Sequence, residues 1–264
     1  MKVSPPGPTT ETSSTTTTPA TTPAPARPSR PTLLCLPHAG GAARVFASLE
    51  AALPPTTNTT LLELPGHGAR MAERVRDDFG AVLEDLIRGS TAHTTGQYVL
   101  LGHSMGAAFA YELGRYWSAL GRPPAAVVVV GRNGPTARRI LPDIHTLEAP
   151  AFLESVRRLG GTPPQLFDHP ELLRLFVPAL RADFTVSETY EPLPGPPLDS
   201  PLWVCAGLDD PMVDDAGLRD WENHGAGDVL IEWLPGGHFL LDDPAFHAYV
   251  AGVLQTLPKP GTTG

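Results

Sequence analysis

The chain has 264 residues, enough for one α/β domain with a full core, and 41% of them are hydrophobic. A formal net charge of −9 does not supply the concentrated basic face that a phosphate backbone requires, so nucleic acid is excluded as an expected partner. No apolar run reaches the length of a signal-peptide core or a bilayer span, so the expectation is a cytoplasmic chain with no membrane partner, and a monomer.

Residues 1–30 are dominated by Thr, Pro, Ser and Ala and cannot bury enough apolar surface to offset chain entropy, so they read as a disordered leader. The folded domain is expected over residues 31–258, with residues 259–264 as a flexible tail. Thr32 to Leu36 is a short apolar run that ends in Pro37-His38-Ala39-Gly40-Gly41, after which Val45, Phe46 and Leu49 fall at helical spacing. This is a strand, a glycine-rich loop whose amides can hold an anion, and a helix. Thr60 to Leu64 reads as the next strand, closed by Pro65-Gly66-His67-Gly68, with His67 a residue that shapes the loop or rims a site. Phe79, Val82, Leu83, Leu86 and Ile87 then follow the three-four pattern of an amphipathic helix.

Val99-Leu100-Leu101-Gly102-His103-Ser104-Met105-Gly106 organises the remainder of the chain: a buried strand, a Gly-x-Ser-x-Gly turn and a helix. The glycines let strand and helix approach closely, and the turn holds Ser104 Oγ exposed with the Met105 amide at a helix N-terminus. Ala125 to Val130 forms another strand buried on both faces, and the alternation of strands with helices predicts a mostly parallel sheet. Between about residues 144 and 191 no strand is apparent. Phe152, Val156 and Leu159 fit one short helix and Leu172, Phe176 and Leu180 another, which predicts a helical insertion lying over the strand ends as a lid. Pro201 to Gly207 and Val229 to Leu234 supply two more strands, and Phe246 to Leu257 a terminal helix. Cys35 and Cys205 fall inside strands and read as core thiols.

Three strands of the second half thus end in Ser104, in Asp209 or Asp210, and in His238. Carboxyl ends of parallel strands line one crevice, where an imidazole can take a serine proton and a carboxylate can orient the imidazole. The order Ser, Asp, His is that of the α/β-hydrolases. Asp210 is favoured as the acid because it lies further from the strand end and precedes Pro211, with Asp209 the alternative. His103 should project away from the reacting face. The amides of Ala39 and Met105 would form the oxyanion hole.

The chain resembles the stand-alone type II thioesterases that accompany polyketide synthases and nonribosomal peptide synthetases. The marks are Leu36-Pro37-His38-Ala39-Gly40-Gly41, Leu64-Pro65-Gly66-His67-Gly68-Ala69-Arg70, Gly102-His103-Ser104-Met105-Gly106, Leu159-Gly160-Gly161-Thr162-Pro163-Pro164 and Leu180-Arg181-Ala182-Asp183-Phe184. It departs from the family in its Thr/Pro-rich leader and in His67, where many relatives carry arginine. The resemblance implies an α/β-hydrolase fold, Ser104, His238 and Asp210 as nucleophile, base and orienting acid, and no metal or cofactor. It also implies a substrate acyl group in thioester linkage to the phosphopantetheine of an acyl or peptidyl carrier protein. A small-molecule carboxylester hydrolase with the same triad is the alternative, and a non-catalytic hydrolase-like binding module a second. Carrier proteins are acidic, so Arg157, Arg158 and Arg181 on the lid are candidate docking residues, against the plainer reading of a solvated helix face.

Overall fold

Side chains alternate across a strand, so apolar runs such as Leu33 to Leu36 and Val127 to Val130 present two greasy faces and require a layer on each. The structure, a computed structural model, describes residues 30–162 and 164–258. All but the last residue of the expected leader, and the whole of the expected tail, lie outside the described residues. Six strands form one parallel sheet: β1 (Thr32–Leu36), β2 (Asn58–Leu61), β3 (Tyr98–His103), β4 (Ala126–Val130), β5 (Leu202–Gly207) and β6 (Val229–Leu234). On one face Leu34, Leu36, Leu100, Val127 and Val129 pack with α2 (Phe79–Ser90) and α3 (Met105–Ala119). On the other Leu33, Cys35, Val99, Leu101, Val128 and Val130 pack with α1 (Ala47–Ala52) and the terminal α7 (Pro244–Thr256). Cys35 and Cys205 are free and buried in this second layer.

The spatial order β2-β1-β3-β4-β5-β6 reverses direction between β1 and β3. At such a switch point the loops leaving neighbouring strands diverge to opposite faces and open a crevice at the carboxyl ends. The loop from His38 and the turn at Ser104 leave the two strands that flank it. Strand β2 covers Asn58–Leu61 instead of the expected 60–64. Glu63 leaves the ladder because its carboxylate is used in the loops, accepting from the amides of Ala43 (2.8 Å) and Ala69 (3.3 Å).

Between β4 and β5 the chain forms α4 (Ala149–Leu159), a 3-10 turn (Pro164–Asp168) and the longer α5 (Pro170–Glu188); the short α6 (Asp215–Arg219) follows β5. Ile144, Phe152, Val156 and Leu180 form a small core of the insertion's own.

The turn into α3 leaves no room for side chains on its glycines. A Cβ on Gly106 would collide with the backbone of Leu36 and Pro37, and one on Gly102 with the backbone of Gly106. Backbone cannot rotate away as a side-chain tip can. Gly106→Ala is therefore expected to destabilise the fold by about 3 kcal/mol or more, read from urea unfolding midpoints, whereas an alanine at an ordinary helical glycine would stabilise it.

Candidate active site

Ser104 is the only described non-glycine residue with positive φ, at 54° and ψ −110°. L-residues avoid this region, and the strain is held by the Ser104 N–H donating to the Val130 carbonyl (2.8 Å) and by the close crossing of Gly102 and Gly106. The result lifts the hydroxyl off the end of β3 into a small cavity of ≈ 60 Å³. His38, Ala39, Met212, His238 and Phe239 also line it, with Val156, Leu159, Leu180 and Phe184 of the insertion forming its roof.

His238 reaches this cavity from the loop after β6, and Asp210 approaches it from the loop after β5. His238 Nδ1 lies 2.8 Å from Asp210 Oδ2, while Asp210 Oδ1 accepts the Met212 amide at 2.8 Å. An ionised carboxylate can only accept, so the proton of the pair sits on Nδ1 and the lone pair of Nε2 is left free. Asp209, by contrast, is exposed, and its amide donates to the Gly236 carbonyl. No hydrogen bond joins Ser104 Oγ to His238 among the described residues; such bonds are commonly long in ligand-free enzymes and tighten around substrate.

The amides of Ala39 and Met105 make no hydrogen bond to an acceptor among the described residues, while their neighbours Gly40 and Gly41 do. Two unused donors beside a serine hydroxyl, one of them at the start of α3, can receive a developing negative charge.

His103 is fully buried behind the site, and its Nε2 donates to the His238 carbonyl at 2.8 Å. It is thus the prop beneath His238, as its predicted direction away from the reacting face allows. Burial, then the neighbouring His238 and His38, hold its pKa well below the ordinary histidine value. A depressed histidine contributes stability above its unfolded pKa of about 6.5 and loses it as pH falls below that value, by about 1.4 kcal/mol per pH unit. His103→Gln, which keeps an N–H for the His238 carbonyl, is expected to flatten the fall in unfolding free energy between pH 6 and pH 5 by about that slope, measured in urea at each pH.

Sequence reasoning did not foresee the partners of His67. It is buried, with Nδ1 3.1 Å from the Pro65 carbonyl and Nε2 2.9 Å from Asp183 Oδ2 on α5. Burial opposes its charge, but the adjacent Asp183 carboxylate outweighs that cost and raises its pKa. A periodicity pattern cannot reveal a pair 116 positions apart, and nothing local marks it. Of the three lid arginines, Arg181 turns inward: it donates to the carbonyls of His145 and Leu147 and lies over the Phe152 ring. It is therefore occupied in holding the lid together. Arg158 pairs with Glu154 at the surface, and Arg157 lies over Phe167.

A parallel sheet carrying a strained serine elbow, with an Asp–His pair on two later strand ends, defines an α/β-hydrolase. Residues 31–251 match the thioesterase domain, and the chain belongs to that family of thioester hydrolases. The thioesterase PikA5 of Streptomyces venezuelae is 34% identical over 215 residues, spanning 80% of this chain and 75% of that one. Among solved structures, the type II thioesterase BorB from the borrelidin biosynthetic cluster is 36% identical with a TM-score of 0.78, covering 88% of this chain and 95% of that one. RedJ, a thioesterase from the prodiginine biosynthetic pathway in Streptomyces coelicolor, is 31% identical with a TM-score of 0.77, over 90% and 92% of the two chains. No helix among the described residues is long and apolar enough to cross a membrane.

Proposed function

We propose that this enzyme removes acyl groups from the phosphopantetheine arm of acyl or peptidyl carrier proteins of a polyketide or nonribosomal peptide synthase, through an acyl-serine intermediate. The observation that carries the catalytic half is the shared cavity of Ser104 and His238, with Asp210 holding Nδ1 of the histidine. His238 Nε2 takes the hydroxyl proton as Ser104 Oγ attacks the thioester carbonyl. The oxyanion rests on the amides of Ala39 and Met105. When the C–S bond breaks, the pantetheine sulfur leaves as thiolate and takes up that proton. Water, deprotonated by the same histidine, then attacks the acyl-serine and releases the carboxylic acid. The scheme draws on no metal or cofactor.

The carrier-bound substrate is supported by the pathways named for BorB and RedJ and by the shape of the site. Beside the serine cavity lies a second, mainly apolar cavity of ≈ 430 Å³ between the Gly66–Met71 loop and α5, sharing Gly40, Gly161, Thr162 and Leu180 with the first. Together they offer an apolar acyl chain and a long pantetheine arm separate directions away from Ser104.

The test is intact mass spectrometry of a carrier protein loaded with acetyl, butyryl or hexanoyl phosphopantetheine. Loss of the acyl mass to the free thiol on adding enzyme supports the reading. Retention of all three acyl groups while p-nitrophenyl esters are hydrolysed would transfer the enzyme to the carboxylester hydrolases.

A further inference from the structure

The loop after β1 is a four-residue turn, His38-Ala39-Gly40-Gly41, closed by the Gly41 N–H on the His38 carbonyl at 2.9 Å. Gly40 has φ 74° and Ala39 is not among the positive-φ residues, which is the type II form. Type II and type I turns differ by a flip of the peptide joining the two central residues, here Ala39 and Gly40. That peptide unit is held at both ends. At its oxygen end, the Ala39 carbonyl lies 3.0 Å from His38 Nδ1. At its nitrogen end, the Gly40 N–H donates to Asp183 Oδ2 at 2.7 Å. In a flipped peptide the Ala39 carbonyl would face the Asp183 carboxylate, oxygen against oxygen, and the His38 N–H would lose its acceptor.

Asp183 comes from the C-terminal half of α5, far from the loop in sequence, and is buried. A buried carboxylate requires a counter-charge and donors. His67 supplies the counter-charge: its Nε2 lies 2.9 Å from Asp183 Oδ2, an ion-pair contact at an angle that makes no hydrogen bond, while its Nδ1 lies 3.1 Å from the Pro65 carbonyl. His38 is pushed the other way, burial holding its pKa below the ordinary value, which suits a neutral ring donating from Nδ1.

We propose that Asp183 is a positioning residue for the oxyanion hole, clamping the Ala39–Gly40 peptide from the lid so that the adjoining Ala39 N–H stays aimed at the reacting oxygen, with His67 as its buried counter-ion. The inference rests on the assignment of Ala39 as an oxyanion donor in the proposed mechanism. It gives the insertion a catalytic task beyond covering the site, because any movement of α5 away from the sheet withdraws the carboxylate and frees the turn.

The test compares wild type, Asp183→Asn and Asp183→Ala on a butyryl-loaded carrier protein and, in parallel, on p-nitrophenyl butyrate. Inhibition by a trifluoromethyl ketone, which binds as a tetrahedral oxyanion on the serine, is measured for each. Removing an oxyanion donor costs roughly 10²–10³-fold in kcat, so a donor left in place but released is expected to cost about 10- to 100-fold in Asp183→Ala, with KM within about twofold. The inhibition constant should weaken in proportion to the loss in kcat/KM, since both report stabilisation of the same oxyanion. Asp183→Asn keeps an acceptor for Gly40 in nearly the same volume and should recover at least about a tenth of wild-type kcat. The proposal is overturned if kcat of the alanine variant stays within twofold of wild type, or if the loss falls on KM with the ketone unaffected, as a merely loosened lid would give. It is also overturned if the asparagine variant, which keeps the fold where alanine does not, is as inactive as a variant with no acceptor. Should wild type hydrolyse only the ester, the carrier assignment fails on its own and the Asp183 comparison is completed on the ester.

Discussion

Ser104→Ala is expected to leave an acylated carrier protein at its full mass under conditions where wild type strips it to the free thiol, a loss of about 10⁴-fold or more in turnover. The size of the effect follows from what the hydroxyl does in both half-reactions. In the proposed mechanism it is the atom that becomes acylated and the leaving group when water attacks, so no neighbouring group can take over its role at the apex of the elbow. Cys35 and Cys205, the alternative nucleophiles by element, are fully buried, and burial raises their pKa values well above the ordinary thiol range. The substitution removes one oxygen from a residue whose backbone position is fixed by the Val130 carbonyl and by the Gly102–Gly106 crossing, so the variant should unfold at nearly the wild-type urea concentration. Wild-type enzyme treated with a fluorophosphonate should gain one adduct mass, and the variant none. Retained turnover in the variant would remove Ser104 from the mechanism.

Asp210→Asn is the second large effect, expected to lower kcat by about 10²–10⁴-fold, while Asp209→Asn, one residue away, changes it by less than about twofold. The asparagine can place its NH₂ group or its carbonyl against His238 Nδ1, but the Met212 amide must also find an acceptor at the other oxygen. Satisfying Met212 turns the NH₂ group toward His238, and an N–H facing Nδ1 forces the imidazole proton onto Nε2. The base then presents a proton where it should present a lone pair. A thioester has a better leaving group than an amide, which places the expected loss at or below that of the corresponding change in peptide hydrolysis. Because the Asp210 carboxylate is almost wholly buried, the variant should be compared with wild type for unfolding as well as for rate. Equal losses in both aspartate variants would show that the pair near His238 is not what orients the base.

The lid and the oxyanion loop are linked in a way that constrains how substrate is admitted. The insertion has its own core of Phe152, Val156 and Leu180, α5 reaches the main core through Val186, and the Asp183 carboxylate adds a polar tie to the loop after β1. In the proposed mechanism, a movement of α5 away from the sheet would withdraw the Asp183 carboxylate from the Ala39–Gly40 turn.

Much of this was determined locally. The continuous apolar runs, the helical spacings and the Gly-x-Ser-x-Gly turn marked the strands, the flanking helices and the place of the elbow, because each depends on neighbours a few residues away. Parallel strands separated by helices also dictated that Ser104, an aspartate after β5 and His238 would meet, since such a topology gathers strand ends at one edge. Distance from the strand end and the following Pro211 favoured Asp210 over Asp209, but only the way the loop turns the two adjacent acids brings one of them to His238. Beyond local pattern were the shortened β2, where Glu63 left the ladder to serve two loop amides, and the inward course of Arg181. Above all, the tie from Asp183 to Gly40 and His67 joins three segments distant in sequence. Hydrogen bonds between distant segments depend on angles and distances of a few tenths of an ångström, set only when the packed layers bring those segments together; no residue pattern along the chain encodes them singly.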